Sequence, residues 1–188
     1  YEKYDAASST AGDTVHDLSS LPVVTVNGVE YYRFDWRLDV NKDGTYEYEE
    51  DVEIVDTLPS GMILYENNDY LKYSTGGSSS TNQLTTTPWY QFRYSYDKGT
   101  NKINLVKTGY STTYWTFYYS TLVKVDDVKN GVYKNGTAAF KNTVQDKPGK
   151  YPERSQTQTV KEKNLKKTSS PKSTGCEITY TIDVNPKK

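Results

Sequence analysis

Between Val29 and Val40, apolar and aromatic side chains alternate with charged ones. Tyr32, Phe34, Trp36, Leu38 and Val40 share one parity; Arg33, Asp35, Arg37 and Asp39 share the other. Residues two apart face the same side of an extended chain, so this stretch predicts a half-buried strand. Val52, Ile54, Asp56 and Leu58 repeat the pattern until Leu58-Pro59-Ser60-Gly61 ends it with turn residues. Tyr90 to Tyr96 and Lys102 to Lys107 read as a hairpin joined by Asp97-Lys98-Gly99-Thr100-Asn101. Trp115, Phe117, Tyr119, Thr121, Val123 and Val125 line a longer strand, and Val132 to Val144 supplies another. Nothing longer than one helical turn, over Asp126 to Asn130, is expected. Short strands separated by turn signals predict an all-β chain folded as an antiparallel β-sandwich.

The segments between strands suggest how the chain is organised. Thr75 to Thr87, rich in Gly, Ser and Thr, predicts a long exposed loop. From Gln145 to Lys172 the chain turns Lys-, Pro-, Ser- and Thr-rich, which reads as an extended linker. Ile178, Tyr180, Ile182 and Val184 then alternate again, and "EITYTIDVN" echoes the earlier "YYRFDWRLDVN". The expected division is a domain over 1–145, followed by a linker and additional strands over 146–188. Those strands either finish the first domain or open a second, similar one.

Composition narrows the function classes. The 188 residues carry 23 basic and 24 acidic side chains, so no global charge attracts nucleic acid or anionic lipid. No apolar run approaches the roughly 20 residues a membrane helix needs. The 19 Tyr, 3 Trp and 4 Phe supply core area that sparse Leu, Ile and Met do not, which argues against disorder. One Cys (Cys176) and one His (His16) exclude an internal disulfide and multi-histidine zinc sites. Cys176 reads as incidental or as a small buried apolar residue, and His16, in a polar insertion, as a surface residue. The chain opens at Tyr1 without a leader and closes without an apolar tail, so an exported protein would be represented by its mature or excised part.

Asp56 is the most informative residue, because its parity places it with Val52, Ile54 and Leu58. It is either an acid turned into the core or a strand-end Asp that caps the next turn. The stretch "YYRFDWRLDVNKDGTYEYEEDVEIVDTLPSGMILYE" resembles the collagen-adhesin-type and fimbrial backbone domains of Gram-positive cell-wall proteins. "YEKYDA" is similar to their first strand, with a Lys after aromatic residues, and "VYKNGTAAF" to their closing strand. The resemblance runs over roughly residues 1 to 145 and implies an immunoglobulin-like sandwich with a self-catalysed isopeptide bond.

Carried over residue by residue, the resemblance makes Lys3 the nucleophile, Asn135 the electrophile and Asp56 the assisting acid. Asn142, in "FKNTV", stands as the alternative electrophile. Lys166 or Lys167, in "NLKKT", resembles the first-strand Lys of a following module. The chemistry is sound: burial lowers a Lys pKa and keeps an acid protonated, and strands hold the reactants together. Such a bond forms once per molecule, without turnover. The resemblance further implies an extracellular, cell-wall-attached module that needs no cofactor. It would contact neighbouring domains of its own chain and, on the host side, a matrix protein or glycan.

Three other features compete for a role. Asp39, Asn41, Asp43 and Glu50 fit the calcium-loop spacing, with Gly44 at the sharp turn, although the same Asp-Gly serves an ordinary hairpin. Tyr110, Tyr114, Tyr118 and Tyr119, with Trp89 and Trp115, offer either core packing or a stacking face for sugar or peptide. A binding module without the covalent bond is therefore the alternative reading. The acidic run Glu49, Glu50 and Asp51 would suit a hydrolase but more simply forms a solvated face.

Overall fold

The computed structural model describes residues 1–6, 12–147, 149–162, 165–171 and 178–184, the last two segments as backbone. The first strands are β1 (Glu2–Asp5), β2 (Thr14–Asp17), β3 (Val23–Val26), β4 (Val29–Val40) and β5 (Val52–Thr57). The middle of the chain forms β6 (Met62–Leu64), β7 (Lys72–Thr75), β8 (Asn82–Gln83), β9 (Phe92–Asp97) and β10 (Lys102–Lys107). Then come β11 (Trp115–Lys124), helix α1 (Val125–Asn135), β12 (Thr137–Asp146) and β13 (Arg154–Lys161). Strands β14 (Leu165–Pro171) and β15 (Ile178–Val184) follow.

Two sheets face each other, as expected of the sandwich. One runs β1-β4-β11-β7-β8, with β3 also on β4 and β6 also on β11. The other runs β2-β13-β12-β5-β10-β9, and its pairs are antiparallel except β2 with β13. Tyr32, Phe34, Trp36, Leu38 and Val40 of β4 are all buried, so the predicted alternation is observed. They meet Ile54, Ile103, Leu105 and Val144 from the other sheet in one core. Trp36, Trp115, Phe34, Phe117 and Tyr119 are among its largest fully buried side chains, and this is where the aromatic surplus goes.

Three expectations need correction. The chain from Val125 to Asn135 is an eleven-residue helix, not one turn followed by a strand. Val125, Val128 and Val132 bury one helical stripe, and Asp126 and Asp127 favour the first turn. Gly136, at φ 78°, closes the helix by donating its N–H to the Val132 carbonyl. Gly131 lets α1 approach β12, since a Cβ there would sit 3.1 Å from that of Ala138.

Second, the boundary expected at 145 falls inside β12, and β13 pairs with β12 along Thr137–Val144. Its inward positions include Gln156 and Gln158, so an apolar alternation does not reveal it. Third, the Thr75–Thr87 segment is not wholly a loop, because β8 pairs with β7 and Leu84 is buried.

Candidate functional site

Lys3 reaches the core because β1 pairs with β4 in a register that sets Lys3 opposite Leu38, a core position. Residues directly opposite across two strands share a face of the sheet. The Lys3 ammonium lies over the Trp36 ring at 4.9 Å and the Tyr119 ring at 5.1 Å. From the facing sheet, β5 turns Ile54 and Asp56 inward, and Asp56 is fully buried. Asn142 lies on β12, two residues before Val144, which pairs with Asp56. Like Val144 and Asp146 it points inward, and it too is fully buried.

Lys3 Nζ donates to Asp56 Oδ2 at 2.5 Å and to the Tyr119 hydroxyl at 2.5 Å. The Tyr119 hydroxyl in turn donates to Asp56 Oδ2, and Asn142 Nδ2 donates to the same oxygen at 3.5 Å. Three donors thus converge on one carboxylate oxygen. Asp56 Oδ1 and the Asn142 carbonyl oxygen are buried without a hydrogen-bond partner. Burial drives the Lys3 pKa down from 10.5 to about 8, against the opposing pull of the Asp56 charge. Burial, then Asp56, push the Tyr119 phenol well above its usual 10, so it remains a neutral donor. The arrangement therefore holds an amine that loses its proton readily, a carboxylate able to take it, and a side-chain amide at the same acid. A proton on Asp56 would also bring a donor to the neighbourhood of the unpartnered Asn142 carbonyl.

Lys3 and Asp56 are brought together, but Asn135 is not with them. It is the last residue of α1 and is exposed, because the helix continues through the region read as strand. Asn142, the alternative, occupies the place beside Asp56. Tyr119, read in the sequence as core packing or part of a stacking face, carries no motif that marks this role; its hydroxyl becomes a partner only once β11 lies beside β4.

The calcium spacing does not gather its residues. Asp39 accepts from Thr116 at 2.9 Å, and Asn41 spends its amide on the Tyr46 backbone and the Thr112 carbonyl. Asp43 and Glu50 are exposed, and among the described residues no three acidic, His or Cys side chains form a metal-holding group. Gly44, at φ 63°, serves a turn in which its N–H meets the Asn41 carbonyl. In the acidic run, Glu49 and Glu50 are exposed, while Asp51 accepts from the Gly109 backbone at 2.8 Å. Of the aromatic set, Trp115 and Tyr119 are core, Tyr114 and Tyr118 are half-buried, and Trp89 and Tyr110 are exposed. His16 is half-buried rather than on the surface, with Nε2 at 2.9 Å from Asp5 and 3.0 Å from Gln158. Cys176, Lys166 and Lys167 carry no described side chain, Cys176 lying outside the described residues altogether.

Neither a protein-family model nor a curated protein sequence matches the chain. Among solved structures, it is similar to the collagen-binding domain of a Staphylococcus aureus adhesin. That match has 17% identity and a TM-score of 0.44, covering 69% of this chain and 88% of the other. The collagen-binding subdomain of an Enterococcus faecalis surface protein is also 17% identical, with a TM-score of 0.45 over 79% and 94% of the two chains. The full-length major pilin of Corynebacterium diphtheriae matches at 12% identity and a TM-score of 0.32, over 84% of this chain and 32% of the pilin. The chain is thus similar to adhesin and pilin domains of Gram-positive bacteria, the class its sequence motifs resemble.

Proposed function

We propose that the domain is a structural and adhesive module of a Gram-positive surface protein or pilus, braced by an isopeptide bond between Lys3 and Asn142. The observation that carries this reading is the convergence of Lys3 and Asn142 on Asp56 in the sealed space between the two sheets. Lys3 passes one proton to Asp56, and its neutral amine attacks the Asn142 side-chain carbon. The Lys3 Nζ–C bond forms and the bond from that carbon to Nδ2 breaks. The amine then gives up a second proton, which Asp56 relays to the departing nitrogen, so that ammonia leaves and one proton stays on Asp56. The strands supply the proximity, and exclusion of water prevents hydrolysis of the amide instead.

The product ties the two sheets together and closes a loop spanning the 139 positions from Lys3 to Asn142. In the chain-entropy account such a closure contributes about 5 kcal/mol. Its further use is mechanical, because tension applied beyond Lys3 and Asn142 cannot extend the enclosed chain. A stalk exposed to shear on a cell surface has need of this.

The test is the intact mass of the purified protein, followed by mapping of branched peptides. A deficit of one ammonia, with Lys3 joined to Asn142, is expected. A mass equal to that of the sequence would overturn the bond, and a branch at Asn135 would overturn this choice of partner.

A second observation favours an adhesive role. A cleft of about 390 Å³ is lined by Asn68, Gln83, Thr85, Thr87 and Tyr90, with no charged side chain. Trp89, adjacent in the chain, is 83% exposed. Hydroxyls and amides beside exposed rings suit a neutral glycan or a matrix-protein segment. Tyr90→Ala with Trp89→Ala should abolish binding on glycan and matrix-protein arrays while leaving the mass deficit intact. Unchanged binding by that variant would remove the cleft from the adhesive surface.

A further inference from the structure

The cross-linking reaction must take two protons off Lys3, because an ammonium carries three and the amide nitrogen it becomes keeps one. Asp56 Oδ2 receives the first directly, at 2.5 Å. Once protonated, that oxygen presents a hydrogen towards Nζ and no longer accepts from it. The second proton needs another acceptor in contact with the amine, and that acceptor must hand a proton on in its turn. Among the described residues, the Tyr119 hydroxyl meets both conditions. It accepts from Lys3 Nζ at 2.5 Å and donates to Asp56 Oδ2.

Strand register puts the hydroxyl there. Tyr119 on β11 is paired with Trp36 on β4, and Lys3, opposite Leu38, extends over the Trp36 ring to reach it. Trp36 cannot take its place. An indole offers a donor and no acceptor, and its Nε1 already donates to Thr121 Oγ1 at 2.8 Å. The ionisation state of the phenol also suits the task. Burial, then the Asp56 charge and hydrogen bond, raise its pKa well above 10, and only the Asn142 amide, donating to the hydroxyl, opposes them. A neutral hydroxyl keeps the proton that a relay passes on, whereas a phenolate has none to give.

We infer that Tyr119 is a catalytic residue of the cross-linking reaction, its hydroxyl relaying the second proton of Lys3 to Asp56. The inference rests on the reading of Lys3, Asp56 and Asn142 as the reacting set. After the Nζ–C bond has formed, Nζ gives a proton to the Tyr119 oxygen while Tyr119 gives its own to Asp56 Oδ2. Asp56 passes the proton it took first to Asn142 Nδ2, its neighbour at 3.5 Å. The bond from the side-chain carbon to Nδ2 then breaks, its electron pair stays with the nitrogen, and ammonia leaves. Tyr119 ends with one proton, as it began, and Asp56 ends protonated.

The test starts from full chains recovered unfolded and unreacted from inclusion bodies and diluted out of urea. Tryptophan fluorescence follows folding, and peptide mapping follows the Lys3–Asn142 branch. Tyr119→Phe keeps the ring and should fold as wild type does, yet form the branch about 100-fold or more slowly, the usual contribution of a positioned acid–base group. Tyr118→Phe, at the half-buried neighbour on the opposite face, should react at the wild-type rate. The pH profile separates a relay from mere alignment. In wild type the protons circulate inside the core, so the rate should be flat between about pH 6 and 7.5, below the Lys3 pKa of about 8. In Tyr119→Phe, solvent base must remove the second proton, so the residual rate should climb with pH. A variant as fast as wild type, or a slow one with the same flat profile, would overturn the relay. Absence of the branch from wild type would instead remove the reading on which the relay rests. A further check is independent of how Tyr119→Phe folds. Asn142→Ala cannot react, and by NMR its Tyr119 hydroxyl proton should exchange slowly and show through-space contacts to the Lys3 side chain. Rapid exchange of that proton with solvent would equally overturn the inference.

Discussion

Two lysines of this domain are buried almost equally, Lys3 at 3% exposure and Lys107 at 2%, and their surroundings give them different chemistry. Lys107 Nζ donates to the Gly109 and Tyr110 carbonyls at 2.6 and 2.7 Å and lies 5.8 Å from the Trp115 ring. Burial lowers its pKa, with Asp51 opposing. Lys3 meets a carboxylate, a phenol and, through that carboxylate, a side-chain amide. Backbone carbonyls satisfy an ammonium but neither accept its proton for good nor offer a carbon with a leaving group. Burial alone thus makes a lysine a staple for a loop. Burial beside an acid and an amide makes it a nucleophile.

Asp56→Ala breaks this contrast most severely. It removes the proton carrier, so the variant should show the full mass of its sequence. It also leaves the Lys3 ammonium buried without a counter-charge, a situation that costs roughly 3–5 kcal/mol. Together with the lost loop closure of about 5 kcal/mol, the variant should be the least stable of the set in denaturant unfolding. Asn142→Ala separates the two terms, because it abolishes the bond and keeps the ion pair. It should lose only the closure term. Equal losses in the two variants would mean that Asp56 has no electrostatic role beyond the reaction. Lys107→Met should keep the ammonia deficit and lose about 1.5–3 kcal/mol, the usual contribution of a charged hydrogen bond. A loss of the deficit in this variant would erase the distinction between the two lysines.

The contrast was partly legible from the chain. The parity of Val52, Ile54 and Asp56 allows an inward acid as well as a turn cap, and Lys3 stands out only through the resemblance of "YEKYDA" to a first strand. Asn142 was harder to choose than Asn135. The Asn-Gly-Thr-Ala step resembles a closing strand, and only the helical spacing of Val125, Val128 and Val132, ending at Gly136, moves Asn135 out of it. Once β12 is taken to start at Thr137, the parity of Asn142 with Val144 puts it on the core face. Tyr119 could not be singled out, because period-two patterning assigns a ring to the core without saying what its hydroxyl meets. Strand β13 escaped for the opposite reason: its inward Gln156 and Gln158 are polar, and a pattern of apolar residues does not register them.

The smallest expected effect concerns pH and sharpens the contrast through its sign. In Asn142→Ala, Lys3 stays an amine with a folded pKa near 8 against 10.5 when unfolded. Between those values the unfolded chain binds more protons, so the stability of this variant should rise as pH climbs from about 8 to 10.5. His16 acts the other way. Its hydrogen bond to Asp5 is the largest influence and outweighs burial, and with Gln158 it raises the imidazole pKa above 6.5. Its contribution is fully present below 6.5 and is lost as pH rises through the higher folded value. His16 sits on β2, and Asp5 lies two residues from Lys3 on β1, so the pair pins the strand that carries the nucleophile. Unfolding curves of wild type and His16→Asn should therefore differ most on the acidic side of neutrality and converge above it. A difference that instead grew with pH would show that His16 is held neutral, and that Lys3 is aligned by the sheet register without it.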